Sequence, residues 1–222
     1  MKTVCLSAGH YTLDPGAVSG SLIERDLVAL ITNYAAIMLR KHGIPTLEVP
    51  NDLNLIATIA WINDRSSQID LACEIHINAG GGTGIETWYY YNDGTSKKLA
   101  EFINDACVAE TGLANRGVKD EVNSPPGRLG FIHDTLPLAV LVECGFIDGD
   151  SSYFTKDENL FTFAKGVARG ILSYIGVTWN PNLIYPQVQP SPPPNPSPAG
   201  EDLQKYKNAA IEIKGIFTKY NL

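Results

Sequence analysis

Two histidines and two glutamates in this 222-residue chain have the side-chain chemistry of a hydrolytic metal centre: His10, Glu24, His76 and Glu143. Two neutral imidazoles and a carboxylate suit Zn2+ and leave one tetrahedral position for water, whereas structural zinc wants a fourth protein ligand. Glu143 lies within Ala139-Val140-Leu141-Val142-Glu143-Cys144-Gly145-Phe146, where an ionised carboxylate is costly to bury without a partner. Beside a zinc site it can accept the proton of a water and later deliver it to a leaving amine. Each residue alone also has an ordinary reading, as a packed or capping histidine or as a glutamate bonded to loop amides.

The elements around these residues decide whether they can meet. Residues 3–8 read as a short buried strand ended by Gly9-His10 and the turn Leu13-Asp14-Pro15-Gly16. After a Gly/Ser loop, residues 24–41 place Leu27, Leu30, Ile31, Tyr34, Ile37 and Met38 on one helical face, and Arg40, Lys41 and His42 precede Gly43, a helix ending. Residues 45–49 read as a second strand, 53–65 as a second helix, and 71–76 as a strand entering a Gly-rich loop. Residues 85–91 follow as a strand, 96–111 as a helix, 118–122 as a short strand or irregular segment, 138–146 as a central strand, and 159–175 as a last helix. This alternation predicts an α/β fold, a twisted, mostly parallel sheet flanked by helices. Strand C-termini and helix N-termini then share one edge, so His10, Glu24 and His76 can converge there.

The bulk composition narrows the partners. A formal net charge of −7 argues against nucleic acid or an anionic membrane surface as a partner, and no apolar run is long enough to span a bilayer. The apolar stretch at residues 4–8 is shorter than a secretory h-region, so synthesis in the cytoplasm without a signal peptide is expected. Cys5, Cys73, Cys107 and Cys144 form no CxxC pair and read as free structural thiols.

Three segments are expected: a catalytic domain over 1–178, a Pro-rich linker over 179–200 and an amphipathic helical tail over 201–222. The run Pro190-Ser191-Pro192-Pro193-Pro194-Asn195-Pro196-Ser197-Pro198 suits an extended, semi-rigid chain. Leu203, Tyr206, Ala210, Ile213, Phe217 and Tyr220 then form an apolar stripe interrupted by Gly215. That stripe needs a surface to cover, by self-association or by docking on the catalytic domain.

Several motifs occur together in order: Ser7-Ala8-Gly9-His10, Asp14-Pro15-Gly16-Ala17, Glu24, Glu74-Ile75-His76-Ile77-Asn78-Ala79, Asn115-Arg116-Gly117-Val118 and Leu141-Val142-Glu143-Cys144-Gly145-Phe146. Over roughly residues 1–178 the chain resembles the zinc-dependent N-acetylmuramoyl-L-alanine amidases of the amidase-3 family. The resemblance implies zinc ligands at His10, Glu24 and His76, a catalytic glutamate at Glu143 and a mostly parallel sheet with helices on both faces. It also implies peptidoglycan as substrate, cut between the lactyl group of N-acetylmuramic acid and the first L-alanine of the stem peptide. Cleavage would use a zinc-activated water, at the bacterial cell wall or periplasm after release or delivery, as in a phage endolysin, an injected lytic effector or an autolysin with an unusual export route. Where family members commonly carry arginines around the second helix, this chain has Val49-Pro50-Asn51-Asp52 and Leu55-Ile56-Ala57-Thr58-Ile59-Ala60. His133 replaces another arginine and reads as a surface or supporting residue rather than a ligand. The competing readings are another zinc amide hydrolase, such as a carboxypeptidase or deacylase, and a catalytically silent wall-binding protein.

Overall fold

The computed structural model of the chain describes residues 2–183. The tail helix expected at 201–222, its self-association and the linker from residue 184 onward lie outside the described residues. Among the described residues, eight strands and six α-helices run in the order β1 (Val4–Ala8), β2 (Val18–Ser19), β3 (Leu22–Ile23), α1 (Glu24–Lys41), β4 (Thr46–Glu48), α2 (Leu55–Asn63), β5 (Leu71–Asn78), β6 (Ile85–Tyr89), α3 (Gly94–Thr111), β7 (Asn115–Asp120), α4 (Gly130–Asp134), β8 (Leu138–Phe146), α5 (Ser151–Phe154) and α6 (Asp157–Tyr174).

The main sheet has the order β4-β1-β5-β8-β6-β7. Strands β4, β1, β5 and β8 are parallel, β6 pairs antiparallel with β8, and β7 is parallel to β6. The fold is therefore the expected α/β arrangement with a mixed, mostly parallel sheet. The reversal at β6 follows from the short Gly-rich loop after β5, which turns the chain back without a crossover helix. Asp148 Oδ2 accepts from the Gly80 and Gly81 amides, and Asp150 Oδ2 accepts from those of Gly84 and Phe146, so the loop is tied to the turn after β8.

Side chains alternate across a strand, so each strand serves two cores. One face carries Val4 and Leu6, Leu71, Cys73, Ile75 and Ile77, Val140, Val142 and Cys144, buried under α1, α3 and α6. The opposite face carries Cys5, Ala72, Trp88, Ala139 and Leu141 under the shorter α2 and α4. Ser7, Glu74, His76, Glu86 and Glu143 have the parity of this second face. Its two helices total 14 residues, nine in α2 and five in α4, and so leave room for a groove over the strands.

Some short elements differ from the sequence expectation. The segment after Val18 forms the β2–β3 hairpin rather than a plain loop, β7 begins at Asn115, and α4 and α5 have little periodicity of their own. Tertiary burial fixes them: Phe131 and Ile132 of α4 are 1% and 2% exposed, and Phe154 of α5 is buried. The four cysteines are free and buried.

Helices α3 and α6 pack closely because Gly166 and Gly170 of α6 lie against the Cys107 and Ile103 backbone of α3. Lys165 and Arg169 of α6 also pair with Glu110 of α3. Burial alone would raise the Glu110 carboxyl, but its hydrogen bonds from Lys165 and Arg169 outweigh that and hold it below the usual range. Replacing glycine by alanine in a helix interior ordinarily stabilises by about 1 kcal/mol. At Gly170 a Cβ would stand 2.4 Å from Ile103 Cα and 2.7 Å from the Phe102 carbonyl oxygen, both backbone atoms. Overpacking therefore wins, and Gly170→Ala is expected to lower stability by roughly 1–3 kcal/mol in urea unfolding; a stabilised variant would contradict the close helix contact.

Candidate metal centre

The first histidine is set by an unusual backbone. His10 follows β1 with φ 67°, the left-handed region that residues with a Cβ seldom occupy. Its Nδ1 lies 2.8 Å from Asp14 Oδ2, and its Nε2 points to Glu24 Oε2 at 3.0 Å. Asp14 is in turn held by the Pro15-Gly16 turn, where it accepts from the Gly16 amide.

Glu24 opens α1 and is 3% exposed. Its carboxylate accepts from the Ala17 amide at 2.8 Å and the Ile77 amide at 2.9 Å, and it meets the second imidazole at His76 Nδ1, 3.1 Å from Oε1. Placement in the first helical turn favours its negative charge. His76, near the end of β5, brings its ring 5.0 Å from that of His10. Small residues make this convergence possible. A Cβ at Gly9 would fall 2.4 Å from the His76 ring, and one at Gly16 would fall 2.5 Å from the His10 ring and 2.6 Å from Glu24 Oε2.

The structure thus brings together His10, Glu24 and His76, with one donor atom from each lying within 4.8 Å of the others. Tetrahedral zinc with bonds of about 2.1 Å has ligand–ligand edges of roughly 3.4 Å. The His10 and His76 nitrogens lie 3.0 and 3.1 Å from the Oε2 and Oε1 atoms of Glu24, respectively, and two imidazoles with one carboxylate form a zinc-competent donor set. Electrostatics agree. Burial alone would lower both imidazoles, but hydrogen bonds to Glu24 and Asp14 raise His10, and bonds to Glu24 and Glu74 raise His76 well above its usual value. Burial opposes ionisation of Glu24, yet its bonds to His10 and His76 hold it well below the carboxylate range. A divalent cation would replace the protons that this carboxylate holds on the rings.

The fourth predicted residue stands beside this cluster. Glu143 on β8 is in register with His76 on β5, and Glu86 on β6 stands across from Glu143. Its Oε2 is shut off from solvent without a hydrogen-bond partner. It lines a groove of about 560 Å³ together with His10, Glu74, His76, Leu55 and Leu129. Burial pushes its carboxyl up to about 7, with His76 opposing the shift and Glu24 and Glu86 adding to it. His133 is elsewhere, bonded to the fully buried Glu121 at 2.8 Å and next to Tyr90.

Sequence reasoning left three carboxylates without a role. Asp14 orients His10, Glu74 contacts His76 Nε2 at 3.4 Å, and Glu86 accepts from Asn78, Arg116 and Lys119. The signal that singled out Glu143, a carboxylate in an apolar strand, was equally present at Glu74 and Glu86.

The sequence profile described as N-acetylmuramoyl-L-alanine amidase, Amidase_3, matches residues 4–173. The chain is 32% identical over 181 residues to the N-acetylmuramoyl-L-alanine amidase LytC of Bacillus subtilis (strain 168), covering 78% of this chain and 35% of that protein. It is 28% identical over 180 residues to the uncharacterized protein YqiI of the same organism, covering 78% of this chain and 84% of YqiI. The crystal structure of an N-acetylmuramoyl-L-alanine amidase from Clostridium difficile 630 superposes with a TM-score of 0.71 at 27% identity, covering 78% of this chain and 96% of that one.

The raised Glu143 carboxyl links stability to pH. Its folded value lies above the unfolded one, so its contribution is fully present below about pH 4.5 and is lost as pH rises toward 7. In metal-free protein, Glu143→Gln is expected to raise stability by roughly 1–3 kcal/mol at pH 8 and to change it little at pH 4, read by urea unfolding at both pH values.

Proposed function

The chain belongs to the N-acetylmuramoyl-L-alanine amidase family Amidase_3, and from that premise we propose that it hydrolyses the amide between the lactyl group of N-acetylmuramic acid and the L-alanine of the peptidoglycan stem, with zinc held by His10, Glu24 and His76. The observation that carries this reading is the pairing of a three-donor cluster with the half-buried Glu143 on the neighbouring strand, whose Oε2 has no hydrogen-bond partner, with His10, His76 and Glu143 lining one groove.

Bound there, zinc would supply Lewis acidity toward the scissile carbonyl and make water more acidic. The residues of the chain do the rest. Asp14 and the Ala17 and Ile77 amides hold the first imidazole and the Glu24 carboxylate in place. Glu143 stands one strand from His76 and acts as the proton carrier: it takes a proton from the attacking water and returns it to the departing alanine nitrogen. A carboxyl near neutrality in the metal-free site suits both halves of that cycle, and a nearby cation would shift it toward the ionised form.

The groove wall is apolar at Leu53, Leu55, Ile56, Leu129 and Phe131, and its polar floor carries the carboxylates of Glu74 and Glu143. No lysine or arginine is among the described residues that line it, so a terminal carboxylate, the anchor of a carboxypeptidase substrate, finds no cation there. An internal amide with a sugar on one side and a peptide on the other is the better match. Among the described residues no helix is long and apolar enough to cross a membrane.

Purified peptidoglycan digested by the protein should yield new alanine amines and intact muramyl lactyl groups, and chelation should stop the release reversibly. His76→Ala should lose both zinc and turnover, whereas Glu143→Ala should keep zinc and lose roughly 10²–10⁴ in kcat. Full activity in Glu143→Ala would remove it from the mechanism, and new end groups at any other bond would remove the substrate assignment.

A further inference from the structure

The two histidines of the cluster present different ring nitrogens to Glu24. His10 presents Nε2, and its Nδ1 is taken by Asp14; His76 presents Nδ1, and its Nε2 faces Glu74. A ligating nitrogen must be unprotonated, so each ring must carry its hydrogen on the opposite nitrogen, where an acceptor has to receive it.

Glu74 has the placement to be that acceptor. It precedes His76 by two residues on β5, and the period of the strand puts both side chains on the same face. Its Oε2 lies 3.4 Å from His76 Nε2, and its Oε1 receives a hydrogen bond from Ser7 Oγ at 3.3 Å. Ser7 stands opposite Glu74 in the β1–β5 register, so two adjacent strands fix the carboxylate from below. Glu74 is 6% exposed and Ser7 2%, which leaves the carboxylate few conformations.

We propose that Glu74, held by Ser7, is a positioning residue that keeps the hydrogen of His76 on Nε2 and so turns Nδ1 toward the metal. This rests on the metal-centre reading above. The Ser7–Glu74–His76 chain on β1 and β5 mirrors the Asp14–His10 pair on the loop, and each carboxylate specifies the tautomer of one ligand.

The test measures zinc affinity rather than turnover, by competition with a chromogenic chelator, together with the visible absorption of the cobalt-substituted protein. Glu74→Leu should weaken zinc binding by about 10- to 100-fold and alter the cobalt spectrum. Glu74→Gln, whose amide oxygen still accepts from Nε2–H, should recover most of the affinity, and Ser7→Ala should show a smaller loss. Should Glu74→Leu not fold, Glu74→Asp, whose carboxylate is withdrawn by one methylene, carries the same expectation of weakened zinc binding. Wild-type affinity and an unchanged cobalt spectrum in a folded Glu74→Leu or Glu74→Asp would overturn the role of Glu74 and leave the metal centre standing. Absence of zinc binding in the wild-type protein would overturn both.

Discussion

The Glu24 carboxylate is buried at the first turn of α1, and the arrangement of the site depends on keeping its charge there. A buried, ionised carboxylate costs several kcal/mol unless hydrogen bonds and opposite charge surround it. This one receives amides from two distant segments, Ala17 of the loop after β1 and Ile77 of β5, and it faces both imidazoles. Those bonds draw the loop, the helix start and the strand end to one point. The left-handed backbone at His10 and the missing side chains at Gly9 and Gly16 are local consequences, since any bulk there would push the rings away from the carboxylate.

Around that point the sheet works as a ruler. Register places His76, Glu143 and Glu86 in one row across β5, β8 and β6, and it places Ser7 beside Glu74 one level below. All belong to the face covered by the two short helices α2 and α4, whereas the other face is sealed by the three 18-residue helices α1, α3 and α6. The thickly covered face supplies the larger hydrophobic core and so most of the stabilisation from apolar burial. The thinly covered face can then hold an open groove and several carboxylates. Stability and chemistry are divided between the two sides of the same strands.

Charge balance in the groove follows from this division. Glu86 is neutralised by Arg116 and Lys119, whose cations also lie over the rings of Phe146 and Trp88. Glu143, directly across from Glu86, has Oε2 without a hydrogen-bonding neighbour, and burial, with the nearby charges of Glu24 and Glu86, raises its proton affinity. Two glutamates on adjacent strands thereby meet different surroundings, one in an ion-pair network with two cations and the other with one oxygen left without a hydrogen-bond partner.

Much of this was legible in the chain. Apolar periodicity gave α1 its full extent at Glu24–Lys41 and β8 its extent at Leu138–Phe146, because long, strongly patterned elements carry their own burial signal. The four candidate site residues were named from their side-chain chemistry and their places at element ends. The β2–β3 hairpin, α4, α5 and the reversed direction of β6 were not legible, because two- to five-residue elements gain their stability from partners far along the chain. The sequence by itself determined which atoms could bind a metal or move a proton, and which strands had to be buried. Only the tertiary structure decided which carboxylate meets which partner, since Asp14, Glu74 and Glu86 contact His10, His76 and Arg116 through register and burial rather than residue type. Hydrogen-bond partners across a sheet are set by strand pairing, and pairing is a property of the whole fold.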